Sequence, residues 1–174
     1  MLGARTWDRI RPIGEVIAQQ PVSWKKSEEV CTIAAKERLV KGYRRATGQR
    51  LIPESEEKTI NYILQSFNLR QVEAQYRGTG AAGVLVKLGQ GDFVSESDIW
   101  GKQALQPGAA LQVWHSRRAY ERLKKGDDIH PFGTAAVFVS YVGKHKVKVR
   151  HFEQVEIWPK TRYQVWVGAN LRQR

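Results

Sequence analysis

Gly133-Thr134-Ala135-Ala136-Val137-Phe138-Val139-Ser140-Tyr141-Val142-Gly143-Lys144-His145-Lys146-Val147-Lys148-Val149-Arg150 is the stretch on which the fold turns. Ala135 to Val142 is a nearly continuous apolar run of strand length, the pattern of a central strand. Gly143-Lys144 marks a turn. Lys146 to Arg150 then alternates cation and valine strictly, as a strand with one wet face does. So short a connection favours antiparallel pairing.

Outward from this pair, the same period recurs in the second half of the chain. Pro107-Gly108 leads into a strand over Ala110 to Trp114, and Val155 to Trp158 and Tyr163 to Val167 read as two more. Arg117 to Lys125 is a short basic helix stopped by Gly126.

The first half changes period. Ser27 is a good N-cap, Glu28 and Glu29 favour the first turn, and Val30, Ile33, Ala34, Val40 and Tyr43 recur at helical spacing. A helix is expected over about 28–46, with Cys31 in its opening turns. Pro53-Glu54-Ser55-Glu56-Glu57 opens a second over about 54–68, with Ile60, Ile63, Leu64 and Phe67 as its stripe. Gly78 to Gly83 matches GxGxxG, but a dinucleotide site needs a preceding strand, and Gln71 to Arg77 makes a poor one. A small-residue helix from Ala81 to Leu88, stopped at Gly89, is the expectation there. The fold class is α+β: N-terminal helices packed on a C-terminal antiparallel sheet of four to five strands. One domain is expected over 1–174, with an arm over 1–22, a mainly helical half over 23–90 and a mainly β half over 105–174.

Composition narrows the function classes. The chain has 174 residues and 41% hydrophobic residues, enough for a packed core, so disorder is not the default. No apolar run approaches the roughly 18 residues of a membrane span. Met1 to Ile17 carries Arg5, Asp8, Arg9 and Arg11 and lacks the apolar segment of a secretory signal. Synthesis in the cytoplasm without a signal peptide is expected. Cys31 is the only cysteine, so no intrachain disulfide can form. His115, His130, His145 and His151 are scattered, without zinc spacing. No metal and no cofactor are expected.

The charge is +12 with pI near 10. It suits an anionic polymer, cell wall or nucleic acid, without choosing between them. Lys144, Lys146, Lys148 and Arg150 would share a face of their strand and could hold phosphates. Trp114, Tyr120, Tyr141, Trp158 and Trp166 could supply stacking faces. Cys31, near a helix start, would have a depressed thiol pKa, which suits a nucleophile served by an imidazole.

The order of these pieces carries a resemblance. A Cys helix, a helical middle, the strand Pro107-Gly-Ala-Ala-Leu-Gln-Val-Trp114, the strand after Phe132-Gly133-Thr134 and two further strands resemble the papain-like NlpC/P60 and CHAP cysteine amidases. The likeness runs from about Val22 to Leu171. It implies a helix packed on an antiparallel sheet, Cys31 as nucleophile, and amide bonds of peptidoglycan-type peptides as substrate. A secreted antibacterial effector, delivered by a specialised system and met by a protein inhibitor, would fit it.

Two positions depart from the family pattern. Ala109 stands where an Asp is usual, and Thr134 stands where the basic His belongs. The chain is then an inactive relative kept for binding, or His130 supplies the imidazole from its loop, or the layout is shared without the chemistry. His151, after the Lys146 to Arg150 strand, is the second His candidate. Two non-catalytic readings stand beside the amidase: a basic nucleic-acid-binding module, and an interaction protein of a phage or mobile element.

Overall fold

The computed structural model describes residues 16–18, 31–127 and 129–172, the side chains of 31–36 excepted. Helices come first: α1 (Cys31–Thr47), α2 (Glu57–Gln65) and α3 (Gly80–Lys87). The sheet follows as β1 (Gly91–Val94), β2 (Ala110–Trp114), β3 (Gly133–Val142), β4 (Lys146–His151), β5 (Gln154–Pro159) and β6 (Val165–Leu171). Two short helices interrupt it, α4 (Glu96–Gly101) and α5 (Arg117–Lys124). Every pairing is antiparallel, in the order β1-β6-β2-β3-β4-β5. The α+β class and the helix-first order stand as expected.

Among the described residues the sheet has six strands where four to five were expected. β1 is the addition: Gly91-Asp92-Phe93-Val94 is too short and too polar to read as a strand alone, and it exists by pairing with β6. β6 also begins and ends later than its sequence pattern indicated. Gly168 lies inside it, where a Cβ would stand 2.9 Å from Leu105 Cδ2 and 3.3 Å from Ile99 Cδ1. The glycine therefore serves close packing of α4 and its following loop, rather than a turn.

β3 explains its own composition. It sits between β2 and β4 and is buried on both faces over Ala135 to Phe138. Ala135 and Val137 join Leu39 of α1, Ile60, Ile63 and Leu64 of α2, and Ala82 and Leu85 of α3 in one core. Ala136 and Phe138 face the other way, into a second core with Leu111, Val113, Val147, Val149, Trp158 and Trp166. Ile99 and Trp100 of α4 cover that side. A bulge between Phe138 and Ser140 adjusts the register where β3 passes from β2 to β4.

The GxGxxG stretch is a packing device. A 3-10 turn (Ala74–Tyr76) precedes it where a dinucleotide fold requires a strand. Gly80 has φ +55, and a Cβ at Gly83 would meet Thr79 Oγ1 at 1.8 Å. The glycines let α3 seat directly on Thr79 and Gln112. Among the described residues no helix is long and apolar enough to cross a membrane.

Candidate active site

Alternation along β4 places Val147, Val149 and His151 on one face of the sheet. Glu156 pairs with Val149 and Trp158 pairs with Val147, so β5 presents both to the same face. Thr134, two residues before Ala136 on β3, shares it as well. Three polar side chains from three neighbouring strands therefore meet above the tryptophan core.

Their contacts are directional. Glu156 Oε2 lies 2.5 Å from His151 Nδ1, and Thr134 Oγ1 lies 2.9 Å from His151 Nε2. The other carboxylate oxygen, Oε1, accepts from Trp158 Nε1 at 3.3 Å. A carboxylate only accepts, so Nδ1 must carry its proton. In the neutral imidazole Nε2 is then the acceptor, and the Thr134 hydroxyl donates to it. The imidazole ring packs on Phe152 at 4.5 Å and on the edge of Trp158 at 5.4 Å, which fixes its plane. The His151 and Glu156 side chains keep 20% and 26% of their exposure, so neither is sealed from solvent. The array thus has a hydroxyl, a base and an orienting carboxylate in hydrogen-bonded sequence.

The other candidates fall elsewhere. Cys31 opens the described part of α1, but its side chain lies outside the described residues, as do residues 28–30 of the expected helix. α1 packs against Ala135 and Val137, the face of β3 opposite Thr134 and His151. The helix is nevertheless tied to the site's rim, because the buried Arg38 guanidinium donates to the carbonyl of Phe152, the residue after His151. Burial first, and Arg150 second, lowers the Arg38 pKa to about 10. His130 is exposed, and no hydrogen bond or ion pair joins it to another described residue. The imidazole nearest the expected base position is His151.

The binding candidates need two corrections. Trp114 is buried in the core, where its Nε1 donates to Gly78 O at 2.8 Å, so it offers no stacking face. Trp158 and Trp166 are buried too. Lys144 lies in the β3–β4 turn, apart from the strand ladder. Lys146, Lys148 and Arg150 do share a face, but Arg150 is occupied, donating to Ala18 O at 3.0 Å and Glu153 O at 3.5 Å. The residue that sequence reasoning missed is Glu156. It sits in an unremarkable Val-Glu-Ile-Trp strand, and only its pairing register across β4 brings it to His151.

Comparison with protein-family models, with curated proteins and with solved structures finds no match.

Proposed function

We propose that the chain is a hydrolase of acyl bonds, amides of peptidoglycan-type peptides first among them, working through Thr134, His151 and Glu156. One observation carries the reading: His151 is engaged at both ring nitrogens, by a carboxylate at Nδ1 and a hydroxyl at Nε2. Thr134 Oγ1 attacks the acyl carbon while its proton passes to Nε2. Glu156 steadies the imidazolium that forms. The imidazolium then protonates the leaving nitrogen. Water, deprotonated by the same Nε2, cleaves the acyl-threonine and restores the hydroxyl.

A second reading keeps Cys31 as nucleophile and His151 as its base, the papain-like assignment. It is favoured by the Arg38 to Phe152 bond, which ties α1, on the opposite face of β3, to the backbone of the residue after His151. The test is single-turnover hydrolysis of muropeptides, followed by mass spectrometry, in Thr134→Ala, His151→Ala and Cys31→Ala proteins. Loss in the first two with retention in Cys31→Ala supports the hydroxyl mechanism. Loss in Cys31→Ala and retention in Thr134→Ala replaces it with the thiol mechanism. Equal rates in all three proteins refute both.

A further inference from the structure

A cleft of about 540 Å3 lies away from the His151 array, between the end of α4, the β3–β4 turn and the 3-10 turn Lys160–Arg162. Trp100, Gly101, Lys102 and Gln103 form one wall, and Lys144, His145 and Lys160 form the other. Three ammonium groups and an imidazole therefore border one concavity, with no carboxylate in its lining among the described residues. Lys102 has a partial partner in Asp98 at 3.6 Å. Lys144 and Lys160 have no ion pair among the described residues, and the Lys160 ammonium stands 5.9 Å from the Trp100 ring centroid. Cations held close together without counter-charge repel one another, and an anion placed between them relieves that repulsion.

A residue of the cleft wall, Trp100, also carries an unpartnered donor. Trp114, Trp158 and Trp166 each give their indole N–H to an oxygen of the chain. Trp100 does not: its Nε1 is buried and has no acceptor among the described residues, while the residue is only 7% exposed. An orphaned buried donor is uncommon, and a ligand oxygen that reaches it on a small shift of the ring would satisfy it. The walls are pre-set. Gln103 holds a left-handed backbone at φ +49, which side-chain-bearing residues adopt rarely, and its Nε2 donates across the cleft to Gly143 O at 2.7 Å. Lys160 N donates to His145 O at 2.7 Å and fixes the second wall.

We propose that this cleft is a phosphate-binding site, with Lys144 and Lys160 as its principal cations and the Trp100 N–H as a further donor. The turn explains why Lys144 leaves the strand ladder: it serves this cleft. A phosphate matches the site because its oxygens accept from several donors at once and its charge needs more than one ammonium.

The test is titration of the full chain with inorganic phosphate at constant ionic strength, read by tryptophan fluorescence and by calorimetry. Saturable binding is expected. Lys144→Ala and Lys160→Ala should each weaken it by about ten-fold, the scale of one charge-assisted hydrogen bond. Trp100→Phe keeps the ring and removes the N–H, and should weaken it by a smaller factor. Circular dichroism checks the fold of each variant; the two lysines are exposed, so their removal leaves the core untouched. Glycerol 3-phosphate and a ten-nucleotide oligothymidylate separate the sources of the group. Tight oligonucleotide binding that also needs Lys146 and Lys148 identifies a polymer backbone, and glycerol phosphate binding of equal strength identifies a small monoester. Absence of saturation with all three ligands, or binding indifferent to both lysine substitutions, overturns the proposal.

Discussion

Glu156 Oε2 lies 2.5 Å from His151 Nδ1, and this one contact fixes which ring nitrogen carries the proton. The Thr134 hydroxyl then meets a lone pair at Nε2, which is the arrangement a base needs before it can activate a nucleophile.

Glu156→Gln should uncouple that assignment. An amide can turn its NH2 toward Nδ1, which moves the proton to Nε2 and leaves the Thr134 hydroxyl without an acceptor. Nitrogen NMR of the His151 ring should show the tautomer change directly, and hydrolysis should fall on the order of 100-fold or more. An unchanged tautomer in the variant would remove Glu156 from its positioning role.

Gly83→Ala should destabilise the fold by about 1–3 kcal/mol in chemical denaturation, because its Cβ would stand 1.8 Å from Thr79 Oγ1 in a closely packed core. Gly101→Ala is the matched control. Nothing lies within 4 Å of its Cβ position, so stability should hold or rise by a few tenths of a kcal/mol.

Lys124 should make stability depend on pH. Its ammonium is half-buried beside Arg77, and burial first, then Arg77, lowers its pKa from 10.5 to about 8. The unfolded chain therefore binds more protons than the folded one between about pH 8 and 10.5, and stability rises with pH across that window. Tyr120 acts oppositely above pH 10, since burial raises its pKa from 10.0 to about 12. Denaturation at pH 7.5, 8.5 and 9.5 should give a rising series in the native protein and a flatter one in Lys124→Met. Parallel series would contradict the assignment.

Trp114→Phe should cost about 1–3 kcal/mol of stability, because it leaves the buried Gly78 carbonyl without the donor it now has at 2.8 Å. Any nucleic-acid binding, measured on the folded fraction, should be the same in the variant as in the native protein. A selective loss of binding with full stability would restore Trp114 as a stacking residue.

Ser95 shows how far local rules reach. In isolation Ser95-Glu96-Ser97-Asp98 reads as a loop or cap, and the Ser95 hydroxyl does accept from Asp98 N at 3.2 Å as the N-cap of α4. The helix itself was not legible, because its six residues gain their stability by burying Ile99 and Trp100 against the sheet.

What the sequence determined alone is what period and turn chemistry encode within a few residues. The apolar run of β3, the Lys-Val alternation of β4, the Gly143 turn and the small-residue helix α3 all follow from local patterns, and with them the helix-first α+β order. What only the tertiary structure decided are the relations across strands. Whether Glu156 reaches His151 depends on the β4–β5 register, and a slip of one residue would send it to the opposite face. The same parity puts Thr134 on the far side of β3 from α1, and the turn carries Lys144 to a cleft with Lys160. The candidate site is a set of distances between residues remote in sequence, and packing and register fix those distances where local periodicity cannot.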